Sequence, residues 1–481
     1  MEPQTRSCSN LRMGIYSIGE IANTLVEGSL GGFAMLYYTD ALGLKPSAVG
    51  VAISLAIFWY SFTIPVMGHI SDNTRSRFGR RHPYILFGGL AMVASFILIW
   101  FVPNGFKSNV ESLFFYLLVV NVILKTSVTM FGVPFTALGF ELCADYEGRV
   151  KLQSFRGIMG TVANLCGPAL AWTIFFSNNE TTRATSVQSN YLRMGASFAI
   201  VAFISILVVV IATRRHIKDS RNIIIEGNNI SGFFRNMKEI ISDFYPRYVF
   251  ACIFVMGLGI TLVSSLQMYL YEHFMKLSGF EKTIAHGGTM VGCGIGTILA
   301  SSLARKFDKK GAVCFGVILS VCCNLILAAL FLPGILKPGQ LLAVGGINIP
   351  FTYIIFVIFH SLYWLGNGIM FPITASMMAD VSEINEIKTG INKDGAYSSV
   401  FSFAGTCAAS VGTFICGYSL TLVGFEAGKA VQSPEVVWKL CALTFIVGPI
   451  ISLLSLGLIR YYPVTKELLS KLRSDKIQNA D

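Results

Sequence analysis

Residues 68–83 read Gly68-His69-Ile70-Ser71-Asp72-Asn73-Thr74-Arg75-Ser76-Arg77-Phe78-Gly79-Arg80-Arg81-His82-Pro83. This basic turn carries one acid and is wedged between two apolar runs, 48–70 and 84–102, each long enough to cross a bilayer. Asp72 is placed to pair with Arg75, Arg77, Arg80 or Arg81, and Gly79 permits close backbone approach. Such a charged hinge between two spans belongs at a membrane surface.

Composition agrees. Of the 481 residues 53% are hydrophobic and only 13% are charged, whereas a soluble domain carries about 25% charged residues. The net charge of +11 raises the question of nucleic acid, but no basic module on a soluble face accompanies it. Apolar segments recur at about 14–39, 48–70, 84–102, 112–138, 152–176, 194–213, 248–271, 284–303, 312–333, 349–378, 396–424 and 436–460. Twelve helical spans follow. With the N-terminus in the cytoplasm, 26 of the 37 Lys and Arg residues fall on that side and 9 on the other, so both termini are expected to be cytoplasmic. The membrane is expected to be a plasma or inner membrane, an organelle membrane being the alternative. The first span contains Glu20 and Glu27 and reads as a retained helix rather than a cleaved signal.

The stretch 214–247 separates two six-span lobes, 1–213 and 248–481, and its 230–241 portion is amphipathic, suited to lying at an interface. The halves echo each other. Span four ends in Glu141-Leu142-Cys143-Ala144-Asp145, span ten in Met378-Ala379-Asp380-Val381-Ser382-Glu383, and each acidic exit precedes a new helix, as a parallel repeat requires. The loop Arg305-Lys306-Phe307-Asp308-Lys309-Lys310 is a weaker copy of the hinge. The 11 cysteines are scattered without a CxxC pair, which gives no support to a metal site, and no cofactor is expected. Asn179-Glu180-Thr181 is a glycosylation sequon assigned to the outer face.

Gly68, Asp72, Gly79, Arg80 and Arg81 resemble the loop between the second and third helices of the major facilitator superfamily. In its longer form, followed by Pro83-Tyr84, the loop resembles that of the glycoside-pentoside-hexuronide:cation symporter family. Tyr37-Tyr38-Thr39-Asp40-Ala41-Leu42-Gly43-Leu44, Pro134-Phe135 with Phe155-Arg156, and Met377-Met378-Ala379-Asp380 with Lys388-Thr389-Gly390 resemble the same family in the same order. The resemblance implies an all-α membrane protein with twelve transmembrane helices in two six-helix lobes. It also implies a gating role for Gly68, Asp72, Arg75, Arg77, Gly79, Arg80, Arg81, Glu141 and Asp380.

The departures matter as much. Cation-coupled members carry two acids in span two, where this chain has Tyr60 and Ile64, and a third at the position of Gly132. Thr24 stands where the family's melibiose permease has a sugar-binding aspartate, and Arg156 matches an arginine that contacts sugar hydroxyls. Sodium, which needs several converging hard oxygens, is therefore not expected, whereas protons or no coupling are. A sub-branch of proton-coupled sucrose carriers shares the wording Ser76-Arg77-Phe78-Gly79-Arg80-Arg81, which favours protons.

Charges inside spans carry the chemistry. Glu27 lies near the middle of span one and Lys125 near the middle of span four. A charge at mid-bilayer costs about 2.5–3.5 kcal/mol on insertion scales, so a Glu27–Lys125 pair is expected. Glu20 lies seven residues earlier on the same helical face. Glu20, Thr24, Glu27, Tyr60, Lys125, Arg156 and Trp364 are the candidate substrate residues. His360 reads as a packing residue.

The expected function is alternating-access transport of a small organic solute, a glycoside or related sugar, by a monomer in contact with membrane lipids. A lysolipid or other amphipathic solute is one alternative; a non-transporting sensor or scaffold on the same fold is another. An enzyme is not expected, since no nucleophile elbow, phosphate loop or metal-ligand cluster appears.

Overall fold

The computed structural model describes residues 9–142, 146–176, 183–214, 230–344, 347–390, 393–429, 431–462, 464, 468, 471, 472 and 474. The sequon at Asn179 and part of the stretch expected to link the lobes, 215–229, lie outside the described residues. The protein is all-α apart from one short antiparallel pair among the described residues, β1 (Leu342–Val344) against β2 (Ile347–Ile349), with Leu342 opposite Ile349.

Ten helices among the described residues are long and apolar enough to cross a membrane. Two features raise the count to the twelve spans expected. Gly279–Phe331 is one run of 53 residues, broken at Asp308 (φ 59°, ψ 166°), and therefore holds spans eight and nine. Span one escapes a length criterion because it is assembled from pieces: Asn10–Ser17, Gly19–Ser29 and two π-helical turns, Leu30–Ala34 and Tyr37–Ala41. π turns insert a residue into the helical ladder and re-aim the side chains beyond it. Span seven, Phe244–Tyr269, ends in the same way, in the π turn Leu270–Phe274. The first helix of each half thus finishes on a π turn rich in aromatic and acidic residues.

The chain forms two compact units, Met1–Ile230 with Glu426–Ala430, and Ser231–Phe425 with Val431–Asp481. In the first unit the end away from the hinge is closed by aromatics. Trp100, Trp172, Tyr37 and Tyr191 are fully buried there, and Tyr37 and Tyr38 donate hydrogen bonds to the carbonyls of Trp100 (2.8 Å) and Ile99 (2.9 Å). Phe87 and Ile174 in the first unit and Ile298 and Leu454 in the second are exposed, as helices that face lipid require.

In the second unit, the backbones of spans eight and ten approach closely. Gly288, Gly292 and Gly296 repeat every fourth residue on span eight and face Ser361 and Leu365 of span ten (Phe351–Thr389). A Cβ at Gly292 or Gly296 would run into the carbonyl oxygens of Ser361 and Leu365. Small residues at this spacing let membrane helices pack by van der Waals contact where no hydrophobic drive exists between helix and lipid.

Replacing Gly296 by Leu is expected to cost about 1–3 kcal/mol or more by overpacking and to lower the melting temperature and yield of the detergent-purified protein. Gly294→Ala serves as the control, because nothing lies within 4 Å of a Cβ at that position. Equal melting temperatures of the two variants would refute the close-packing account.

Candidate functional site

Span one presents Glu20, Asn23, Thr24 and Glu27 at spacings of three and four, so all four lie along one face of Gly19–Ser29. Span five, Tyr146–Leu170, answers with Arg156, Gly160 and Asn164, each four residues from the last. The two faces meet. An ideal Cβ at Gly160 would lie 3.4 Å from Glu20 Cγ and 3.5 Å from Thr24 Oγ1, and one at Gly28 would lie 3.6 Å from Asn164 Oδ1. Spans one and five are thus in direct contact along these faces.

Two ion pairs lie in this stripe. Glu27 Oε2 accepts from Lys125 Nζ at 2.5 Å, and the Lys125 ammonium lies 5.3 Å from the ring centroid of Tyr60. Glu20 Oε2 accepts from Arg156 Nη2 at 2.7 Å and from Nε at 2.9 Å, and the guanidinium lies 4.9 Å from the ring centroid of Phe135. Arg156 Nη2 also donates to Thr136 Oγ1 at 3.2 Å. Phe135 is in turn stacked on Tyr16. Each cation thus has a carboxylate on one side and an aromatic face on another, an arrangement that compensates for lost hydration. The second Glu27 oxygen, Oε1, is buried with no hydrogen-bond partner among the described residues. Gly132, at one of the family's acid positions, faces Asn23, whose Oδ1 lies 3.9 Å from its ideal Cβ.

The structure brings six of the seven candidate substrate residues together in the first unit. Trp364 lies in the second unit, where its indole N–H donates to Gln267 Oε1 at 3.0 Å. The same oxygen takes His360 Nε2 at 3.0 Å. Because that oxygen only accepts, His360 carries its proton on Nε2. Gln267 was not singled out by sequence reasoning, although a lone amide inside the apolar run 248–271 is itself a signal. Also missed were Glu272 and Lys282, a buried ion pair 4% and 0% exposed.

Of the gating candidates, Asp72 and Glu141 converge on Arg80 and Arg81, each 5% exposed. Arg81 forms an ion pair with Asp72 (Nη2 to Oδ1, 2.5 Å) and donates hydrogen bonds to Ser71 Oγ (2.6 Å) and Glu141 Oε1 (3.1 Å); Arg80 also donates to Glu141 at 2.5 Å. Gly79 takes φ +81°, the left-handed conformation that glycine adopts without penalty. Of the four arginines weighed for Asp72, Arg81 makes the pair. Arg75 and Arg77 are exposed, with Arg77 over the ring of Phe78. Gly68 lies inside span two near Val133 of span four. In the second unit Asp380 receives Lys309 at 2.6 Å. The same device therefore occurs in both units, a loop cation held by the acidic end of the span that follows two helices later.

A helical bundle with paired charges inside its spans and a charge-locked hinge is a membrane transporter architecture. Residues 15–466 match the family described as MFS/sugar transport protein, and the chain belongs to that family. It is a multi-pass membrane protein of the major facilitator superfamily. The glucuronide carrier protein homolog of Escherichia coli (strain K12) is 22% identical, with 95% of this chain and 93% of that protein covered. The isoprimeverose transporter of Lactiplantibacillus pentosus is also 22% identical, over 94% and 88%. The crystal structure of the nucleoside transporter NupG superposes with a TM-score of 0.65 at 11% identity, covering 95% of this chain and all of that one, which shows the shared fold.

Removing one member of a buried pair strands the other, typically at about 3–5 kcal/mol. Glu27→Gln and Lys125→Met are each expected to reduce folded yield or transport, with partial rescue in the double variant. A fully stable and active Lys125→Met protein would dismiss the pair as a structural element. For the hinge, Asp72→Asn should preserve expression, since Arg81 keeps Glu141 and Ser71, while altering transport kinetics and cysteine labelling of the hinge side. Wild-type kinetics and labelling in that variant would count against a gating role.

Proposed function

We propose that this protein moves a glycoside or related small sugar across a membrane by alternating access, coupled to protons or uncoupled, and independent of sodium. It acts as a monomer with both termini in the cytoplasm. Its lobes are 1–213 and 248–481, joined by 214–247. The observation that carries the reading is the polar stripe of span one, in which Glu20, Thr24 and Glu27 face Arg156 and Lys125 in an otherwise apolar bundle. Groups of this kind persist inside spans mainly where they serve a solute or ion path. Their mix of acceptors, donors and the aromatic face of Tyr60 suits the hydroxyls and apolar ring face of a sugar. Full-length similarity to an isoprimeverose transporter and a glucuronide carrier homolog supports a sugar or glycoside as the solute.

Independence from sodium is supported by what replaces the family's acids. Tyr60 offers an aromatic ring to the Lys125 ammonium, and Gly132 offers no ligand at all. Glu27 already neutralises an internal cation. The carboxylates Glu20 and Glu27 are the proton-accepting groups of a coupled cycle. In such a cycle protonation would release Lys125 or Arg156 from its partner and so change the local contacts in only one state, the differential interaction that any coupling demands.

Liposomes containing the purified protein test the reading directly. Counterflow or uptake of a labelled glycoside is expected, with the rate unchanged when sodium is replaced by potassium or choline. Sodium-stimulated uptake would overturn the cation assignment, and binding of glycosides without flux would favour a sensor.

A further inference from the structure

The two ion pairs of span one share a geometry that bears on solute charge. Their cationic side chains are the less exposed partners: those of Lys125 and Arg156 are 7% and 12% exposed, whereas those of Glu27 and Glu20 are 33% and 19% exposed. Each ammonium or guanidinium is matched one to one by a carboxylate and backed by an aromatic ring. The charges of the stripe therefore cancel. Each cation is thus already committed to a carboxylate. Glu27 Oε1 is buried and without a hydrogen-bond partner among the described residues, so it is an acceptor that a solute hydroxyl reaches only by entering the stripe.

An anionic solute faces two penalties here. It must approach the carboxylates at close range, where repulsion is weakly screened. It can also reach a cation only by displacing Glu20 or Glu27, which leaves that carboxylate unpaired in a low-dielectric setting. A neutral polyol avoids both, because it donates hydroxyls to the carboxylates without disturbing either pair.

We propose that Glu20 and Glu27 form a charge filter, so that the site takes neutral glycosides and turns away uronates of the same ring. This rests on the glycoside reading above and specifies the charge class of its solute. The filter is local to two side chains, so removing either carboxylate converts a matched cation into a free one. Carboxylate binding follows, since a carboxylate on an arginine or lysine makes a charge-assisted hydrogen bond.

The test uses matched probes on the purified full chain: methyl glycosides of glucose and galactose, their uronates, and the corresponding neutral uronamides. Binding is read by thermal shift and calorimetry at pH 7. In the wild type the neutral glycoside and the uronamide of at least one series bind, and the uronate binds about tenfold or more weakly, equivalent to about 1.4 kcal/mol. In Glu20→Gln and Glu27→Gln the uronate-to-neutral ratio rises to about one or above, while Glu20→Asp keeps the wild-type ratio. Wild-type binding of the uronate as tight as the neutral sugar overturns the filter, as does an unchanged ratio in well-folded Gln variants. Rejection of the uronamide together with the uronate also overturns it, by making the exclusion steric. Should the Gln variants fail to fold, the wild-type comparison with uronamide still decides. Binding of no member of any series removes the glycoside reading itself, and the filter with it, an outcome distinct from glycoside binding without charge discrimination.

Discussion

The contact between Glu27 and Lys125 is the constraint around which the first unit is organised. Neither group is tolerable alone in an apolar bundle, yet at 2.5 Å they hold span one against span four and leave one carboxylate oxygen uncommitted. The pair sets the rotation of span one about its axis. That rotation carries Glu20, one heptad earlier, to Arg156 on span five. Thr24 lies between them on the same face. Gly28, Gly132 and Gly160 lie opposite these polar side chains, each with an ideal Cβ at van der Waals distance from one of them.

The same electrostatic logic governs the surface of each unit at the hinge end. Arg80 and Arg81 are tied to Glu141, and Lys309 is tied to Asp380, so the loop before the third helix of each repeat is fixed to the exit of the fourth. These contacts are within single units and can be made and unmade without repacking an apolar core. The Asp72 carboxylate, with a side-chain exposure of 36%, is the most accessible member of its network.

Site residues differed in how legible they were. Glu27, Lys125 and Arg156 stand out in the sequence because ionisable groups inside apolar runs are rare. Gln267, His360 and Trp364 did not assemble into a cluster on paper, because nothing in their spacing shows that an indole and an imidazole from span ten share one amide oxygen of span seven. The buried Glu272–Lys282 pair was obscured by its position at a span end, where charges normally face water. The π turns Leu30–Ala34, Tyr37–Ala41 and Leu270–Phe274 left no periodic trace, since one inserted residue is too small a phase shift to read against an all-round apolar helix.

The sequence by itself determined the twelve spans, the charged hinge, the two-fold repeat and the family, because span length and the cost of charge in hydrocarbon are properties of short segments. It also made a pair between Glu27 and Lys125 the economical arrangement, since few opposite charges lie at that depth. Partner choice elsewhere was decided by tertiary structure. Four arginines were chemically equivalent candidates for Asp72, and only the turn at Gly79, which swings Arg80 and Arg81 back under the bundle toward Glu141, selects Arg81. Only the packed structure, likewise, shows that the cationic side chains of the stripe are less exposed than those of their acidic partners. Exposure depends on how neighbouring helices rotate and approach, and helix rotation is set by contacts between segments far apart in the chain.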